Sequence, residues 1–319
     1  MSRSTLSLLC LAALACAAPG AEGRRGGPVH RSEASRVYDA RFPDPGSPLD
    51  RRDLSSSERS GAVLVELTYA GDPGTGPVRA TLVRPGGEGK PGPGILWVHW
   101  LGEPATSNRT EFLEEAVALA QAGATSLLVD ALWSTPKWYE RRAIDRDPDD
   151  LSAQVVSLRR GLDLLALERT VDPDRLGLVG HDFGGMTGIL AGAADGRPRS
   201  YVLLAMAPRF QDWMFYDPAK HPTDEAGYRG RLGALDPVDA LPALEGAALI
   251  QLAEKDFYVP SGLIDEWRRA VGGRGEVRVY PTSHAMELAP VRKDREDWLR
   301  RTLGLASAPQ SELPARAKE

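Results

Sequence analysis

The sequence alternates between short apolar runs and longer stretches in which apolar residues recur every three or four positions. Short runs bounded by Gly, Pro, Asn or Asp are typical of strands, and the longer spacing is typical of helices with one buried face. The predicted strands cover residues 62–69, 78–83, 94–99, 126–129, 175–179, 201–204, 248–252 and 277–280. The predicted helices cover residues 110–122, 151–165, 186–194, 260–271 and 295–303. Strands that alternate with helices predict a mainly parallel central sheet with helices on both faces.

The alternation covers residues 61–305, which are therefore expected to form one α/β domain. The first two strands are joined by the short turn 71–74, Gly-Asp-Pro-Gly, which predicts an antiparallel start to the sheet. Residues 208–242 interrupt the alternation, and we expect them to form a small cap over the site. Residues 21–60 are rich in Gly, Arg, Pro and Ser and predict a flexible lead-in, while the polar residues 306–319 predict a disordered tail.

The first 20 residues read as a signal peptide. Arg3 precedes the apolar run 6–18, which is too short to cross a bilayer. The end of this run contains an A-x-A-like cleavage site, Ala-Cys-Ala at residues 15–17. Both cysteines, Cys10 and Cys16, lie in this segment, so the mature chain is expected to contain none. The sequence thus predicts a secreted or periplasmic protein. Lipid attachment at Cys16 is the alternative, which the three residues before it disfavour because they match a lipobox poorly.

Composition and charge narrow the function classes. A chain that is 42% hydrophobic and 26% charged is typical of a globular protein. A net charge of -5 and a pI near 5.7 give no reason to expect nucleic acid or an anionic membrane as partner. No cluster of His, Asp and Glu has metal-ligand spacing, and the glycine-rich segment 180–185 lacks the lysine of a phosphate-binding loop. We therefore expect a small-molecule substrate with no metal and no cofactor, and the sequence leaves the oligomeric state open.

The most informative segment is Gly-His-Asp-Phe-Gly-Gly at residues 180–185, between the strand 175–179 and the Gly- and Ala-rich helix 186–194. A strand, a sharp turn and a helix in this order are typical of a nucleophile elbow, in which one side chain projects from the turn. That side chain usually carries a hydroxyl or a thiol, but here it is the carboxylate of Asp182. The alternative is that Asp182 only caps the following helix, since Asp is a favoured N-cap residue.

Further candidates follow other predicted strands. Asp256 comes after the strand 248–252, and His284 comes after the strand 277–280. Each alone is an ordinary loop residue, but together with Asp182 they stand in the order nucleophile, acid, histidine. Trp100 lies at the corner after the strand 94–99, so the backbone N–H groups of Trp100 and Phe183 are the predicted oxyanion hole.

These motifs resemble those of the α/β-hydrolase superfamily over roughly residues 62–305, and the compact layout resembles its dienelactone hydrolase branch. The nucleophile departs from that branch, which usually carries Cys or Ser. The motif Gly-His-Asp-Phe-Gly is instead similar to the Gly-His-Asp-Trp-Gly motif of epoxide hydrolases and haloalkane dehalogenases. The resemblance implies the α/β-hydrolase fold and hydrolase activity.

The carboxylate affects which reaction is expected. Attack on an acyl carbon would form an anhydride, whereas attack on an sp³ carbon forms an ordinary ester and expels a halide or a strained alkoxide. His284 then activates water against this ester, and Asp256 orients the imidazole. We therefore expect an exported, cofactor-independent hydrolase of an epoxide or a carbon–halogen compound that works through an alkyl-enzyme ester. Phe183 replaces the tryptophan that binds halide in many dehalogenases, which favours the epoxide.

Two alternatives remain. In the first, the enzyme hydrolyses an ester or lactone, and Asp182 acts as a base or positions water. In the second, the chain is a binding protein derived from a hydrolase, although a dead site has no chemical need for an intact acid and histidine.

Aromatic residues are the candidates for the substrate pocket. Trp133 and Trp138 follow a strand end, where the crevice of an open α/β sheet lies, and Tyr216 and Tyr228 belong to the expected cap. The alternative for all four is ordinary packing with the polar end at the surface.

Overall fold

The structure is a computed structural model that describes residues 31–87, 89–102, 108–215 and 221–306. Its strands are β1 (Arg52–Arg59), β2 (Ala62–Tyr69), β3 (Val78–Pro85), β4 (Gly92–Val98), β5 (Thr125–Val129), β6 (Val171–His181), β7 (Ser200–Leu204), β8 (Ala247–Ala253) and β9 (Gly275–Tyr280). Its α-helices are α1 (Glu33–Arg41), α2 (Leu113–Gln121), α3 (Trp138–Arg141), α4 (Asp147–Leu167), α5 (Phe183–Asp195), α6 (Phe210–Met214), α7 (Glu225–Gly233), α8 (Pro237–Ala240), α9 (Ile264–Val271) and α10 (Ala289–Leu303).

Within the described ranges the strands form a single sheet in the order β1-β2-β3-β5-β4-β6-β7-β8-β9. The first three strands are antiparallel, and β3 also pairs antiparallel with β5. The six strands β4 to β9 are parallel to one another. This confirms the predicted mainly parallel sheet with an antiparallel start. Parallel strands end at one edge of the sheet, so the loops after β4, β6, β8 and β9 meet there.

Helices cover both faces of the sheet. α2 and α10 contribute to one core cluster, with Trp298 and Leu299 buried against β6, β7 and β8. α4 and α5 contribute to the other, where Leu158 and Leu162 of α4 are fully buried. The close approach of α5 depends on its small residues, because a Cβ at Gly192 would lie 2.5 Å from the ring of Tyr201. The two apolar layers confirm the expected α/β architecture.

The prediction of a flexible lead-in over residues 21–60 was wrong for its described part, which contains α1 and β1. Contacts with distant residues order this segment. The Ser35 hydroxyl donates to the Ala193 carbonyl at 2.7 Å, and Arg159 donates to Asp39 at 2.7 Å. Composition alone does not reveal such partners. The predicted signal peptide, and all but the first residue of the predicted tail 306–319, lie outside the described residues.

Residues 208–242, which were predicted to form a cap, lie between β7 and β8. In the described part of residues 208–242, the chain forms the short helices α6, α7 and α8. No helix of the described chain has the length and apolar character that a membrane span requires.

Candidate active site

Asp182 lies at the tip of the turn between β6 and α5. Its backbone has φ 52° and ψ -121°, a strained conformation for a residue with a side chain. The glycines around it make the turn possible, because a Cβ at Gly180 would lie 2.5 Å from the Gly184 carbonyl oxygen. A Cβ at Gly184 would in turn lie 2.3 Å from the Val98 carbonyl oxygen of β4. Close packing of strand and helix therefore forces the Asp182 side chain toward the edge where the parallel strands end.

Asp182 occupies the N-cap position of α5, but its side chain makes no capping hydrogen bond. Capping of the helix therefore does not account for this carboxylate. Its Oδ2 instead accepts the Leu101 N–H at 3.3 Å. Its Oδ1 is buried and has no hydrogen-bond partner among the described residues. One carboxylate oxygen is thus held by a hydrogen bond, and the other is buried without one.

The structure brings the predicted acid and histidine together. Asp256, in the loop after β8, accepts the N–H groups of Tyr258 and Val259 on Oδ1, at 2.8 and 3.0 Å. Its Oδ2 accepts the His284 Nδ1–H at 2.9 Å. The two backbone donors and the imidazole hold the carboxylate in one orientation, which in turn fixes the ring of His284.

The other ring nitrogen of His284 faces Asp182. Nε2 lies 3.9 Å from Asp182 Oδ2, too far for a hydrogen bond but within range of a strong charge interaction. Burial lowers the pKa of His284, but Asp182 and Asp256 together raise it to about 9. At neutral pH the ring is therefore an imidazolium between two carboxylates. Nε2 is buried and has no hydrogen-bond partner among the described residues.

The two predicted oxyanion donors are placed differently. The Trp100 N–H donates to Glu111 Oε2 at 3.0 Å, away from Asp182. The N–H that reaches Asp182 in this loop belongs to the next residue, Leu101, so the structure does not place the Trp100 N–H as predicted. Phe183 is the first residue of α5, where backbone N–H groups have no partner within the helix.

Aromatic rings pack around Phe183, the residue after Asp182. Trp133 is buried, and its ring centroid lies 5.6 Å from that of Phe183; the half-buried Trp138 lies 6.1 Å from Phe183. Trp213 of α6 lies 5.6 Å from Phe183 and 5.8 Å from the ring of His284. The described part of the 208–242 segment thus contributes a ring beside the candidate catalytic groups.

The tyrosines of the predicted pocket fare differently. Tyr228 is buried, and its hydroxyl donates to Asp147 Oδ2, which also accepts the Arg142 Nε–H at 3.1 Å. That hydroxyl is engaged away from Asp182, so Tyr228 belongs to a buried polar cluster. Tyr216 lies outside the described residues.

Sequence reasoning missed three residues at the site: Leu101, Glu111 and Trp213. None of them carries a local signal, because a backbone donor, a carboxylate at the start of a helix and a tryptophan in an irregular segment are all common. Among the described residues no group of His, Cys, Asp and Glu has the arrangement of a metal site.

No protein-family model matches the chain, and no curated protein matches its sequence. Solved structures do match its fold. Acetyl xylan esterase 1 from Thermoanaerobacterium sp. has 17% sequence identity and a TM-score of 0.67, over 86% of this chain and 96% of that one. An acetyl xylan esterase from Paenibacillus sp. has 19% identity and a TM-score of 0.67, over 87% and 97% of the two chains. A Klebsiella pneumoniae protein described as a dienelactone hydrolase has 17% identity and a TM-score of 0.54, over 76% and 98%.

These similarities confirm the α/β-hydrolase fold and the resemblance to the dienelactone hydrolase layout. At such low identity they establish the fold alone.

Proposed function

We propose that this chain is a hydrolase that cleaves a small-molecule ester or lactone with Asp182, His284 and Asp256. The observation that carries the proposal is the position of His284, which contacts Asp256 through Nδ1 and faces Asp182 through Nε2. The similarity in fold to esterases supports this substrate class.

In this reaction Asp182 positions a water molecule beside His284. In the fraction of molecules in which His284 has lost its proton, Nε2 takes a proton from the water, and the water oxygen adds to the acyl carbon. The Phe183 N–H, at the positive end of α5, stabilises the oxyanion. The proton then passes from His284 to the departing alkoxide, and Asp256 stabilises the imidazolium in between.

A second candidate rests on the identity and contacts of residue 182. The unpartnered Oδ1 of Asp182 attacks an sp³ carbon and breaks its bond to the epoxide oxygen or to the halogen, which leaves as an alkoxide or a halide. Oδ2 becomes the ester carbonyl oxygen, already bonded to the Leu101 N–H. The ester is neutral, so one of the two charges that raise the pKa of His284 disappears. His284 can then give its proton to the alkoxide, or to solvent where a halide has left, and the neutral imidazole activates water against the ester carbonyl.

A substrate screen with short esters, lactones, epoxides and haloalkanes tests the proposal, with Asp256→Asn as the matched variant of the orienting acid. We expect ester or lactone turnover that Asp256→Asn and His284→Ala both lose. Absence of turnover in every class would reject the hydrolase proposal and favour a binding protein.

Heavy-oxygen water separates the two candidates. In a single turnover the ester route places the heavy oxygen in the product. The alkyl-ester route places it in the Asp182 carboxylate, because water attacks the carbonyl of the enzyme ester. For the alkyl-ester route we also expect His284→Ala to react once and stall, with added mass on the peptide that carries Asp182.

We also propose that the protein is exported, on the basis of the apolar run 6–18 and the A-x-A-like site within it. N-terminal sequencing should find a mature chain that begins between residues 17 and 23. An intact Met1 on a cytoplasmic protein would contradict this.

A further inference from the structure

Glu111, just before α2, links three loops of the site. Its Oε2 accepts the Trp100 N–H at 3.0 Å, and its Oε1 lies 2.7 Å from Nδ1 of His181. Nε2 of His181 lies 2.9 Å from the backbone oxygen of His284. A continuous chain of hydrogen bonds therefore runs from the loop after β4, through the residue that precedes Asp182, to the loop after β9.

The partners of His181 determine its protonation. A backbone carbonyl oxygen can only accept a hydrogen bond, and so can a carboxylate oxygen. A neutral imidazole has a single N–H and can satisfy only one of the two. The pair of His181 and Glu111 therefore needs two protons to make both contacts, and it is largely buried, with 1% of the His181 side chain and 16% of the Glu111 side chain exposed. The ring of Trp100 stacks on it at 5.2 Å and 8° and covers one face.

Each end of this chain of hydrogen bonds lies beside a group that faces the Asp182 carboxylate. Leu101, which follows Trp100, donates its N–H to the carboxylate, and the imidazole of His284 faces the same oxygen. A displacement of about 1 Å at either group is enough to cost on the order of 10²-fold in rate. The two groups lie on loops that are far apart in sequence, and Glu111 connects these loops through His181.

We propose that Glu111 and doubly protonated His181 are positioning residues, which hold the Leu101 donor and the His284 imidazole against Asp182 at the same time. This inference deepens the proposed hydrolase function and rests on it for its catalytic consequence. Neither residue contacts the reacting atoms; both act through the loops that they join.

Two substitutions separate geometry from charge. Glu111→Gln can keep all three hydrogen bonds: the amide oxygen accepts the Trp100 N–H, and the amide NH₂ donates to Nδ1 of a neutral His181 that still donates from Nε2. Glu111→Leu removes the acceptors on both sides. Glu114→Leu is the matched control, because Glu114 lies three residues further along, in the first turn of α2, and its carboxylate side chain is 65% accessible.

Nitrogen-detected NMR of the histidine rings tests the inference without a substrate. We expect two ring N–H signals for His181 in the native protein and one in Glu111→Gln. The Leu101 amide and His284 ring signals should move in Glu111→Leu but stay in place in Glu111→Gln and Glu114→Leu. A single ring N–H on native His181, or unmoved signals in Glu111→Leu, would overturn the proposal whether or not the protein is a hydrolase.

Kinetics on the substrate found in the screen test the consequence. We expect Glu111→Leu to lower kcat by about 10²-fold with KM within about threefold, because the reacting groups are displaced while substrate contacts remain. Glu111→Gln should recover most of that loss, and thermal melts of all variants correct for any unfolded fraction. A native kcat in Glu111→Leu, or equal losses in the Leu and Gln variants, would refute positioning by these hydrogen bonds. Absence of turnover in the native protein would reject the function instead, and the NMR result would stand.

Discussion

Asp182→Asn is expected to lower the pKa of His284 sharply. In the native protein burial lowers this pKa, and the carboxylates of Asp182 and Asp256 raise it further than burial lowers it, from 6.5 to about 9. Asp182 Oδ2 lies 3.9 Å from Nε2. Two unit charges about 4 Å apart attract by roughly 4 kcal/mol at an effective dielectric constant of about 20, which equals about three pH units. Asparagine keeps the size and can still accept the Leu101 N–H, but the charge is gone while the burial cost remains. The pKa should therefore fall by roughly two to three pH units.

An NMR titration of the His284 ring measures this, with His284→Gln to assign the signal. Asp265→Asn is the control, since Asp265 is an exposed carboxylate, 71% accessible, that pairs with Arg268 on α9. We expect the control to titrate like the native protein. A pKa in Asp182→Asn that stays within about half a pH unit of the native value would refute the argument that Asp182 holds the proton on His284.

The same perturbation has a thermodynamic consequence. A group whose folded-state pKa lies above its unfolded value stabilises the fold fully below the unfolded pKa, and the contribution is lost as pH rises through the folded pKa. For His284 that range runs from 6.5 to about 9 and corresponds to about 3 kcal/mol. Urea unfolding at the two ends of the range should show a smaller loss of stability in Asp182→Asn than in the native protein. Equal losses in both proteins would contradict the reasoning.

Three further predictions concern the elbow, the buried cluster and the reaction. Gly184→Ala should lower the free energy of unfolding by about 3 kcal/mol in a urea titration, because the new Cβ would lie 2.3 Å from a backbone oxygen of β4. The control is Gly230→Ala in α7, whose new Cβ meets nothing within 4 Å and should stabilise the protein by up to about 1 kcal/mol. Tyr228→Phe should cost about 2 kcal/mol through the lost hydrogen bond to Asp147; a drop in kcat without a drop in stability would instead return Tyr228 to the substrate pocket. If an ester is cleaved by water that His284 activates in the free enzyme, kcat/KM should rise with pH toward about 9, whereas a profile that is flat through neutral pH would favour direct attack by the carboxylate.

Local patterns were sufficient for much of the architecture. The strand predicted over 62–69 has the bounds of β2, because the alternation of its apolar residues is a local pattern that does not depend on which strands pair with it. The strand, turn and helix around Asp182 could be recognised because steric demands between neighbours in sequence select the small residues there. Asp256 and His284 were found for a related reason, since both follow strands whose ends meet at one edge of a parallel sheet.

Contacts between distant segments decided the rest. The segment 31–60 looks flexible by composition, yet α1 and β1 form because Arg159, Ala193 and β2 offer partners that only the folded chain brings near. The N–H that bonds to Asp182 belongs to Leu101 and not to Trp100, because the Trp100 N–H donates to Glu111.

The sequence by itself determined which side chains stand at the ends of the parallel strands, because strand periodicity and turn sterics are local. Only the tertiary structure decided how those side chains act on one another. The pKa of His284 near 9 depends on two carboxylates from other loops, and the two contacts of His181 depend on Glu111 and on the His284 carbonyl oxygen. Charge interactions and hydrogen bonds change steeply over a few ångströms. Those separations are set by the packing of the whole sheet.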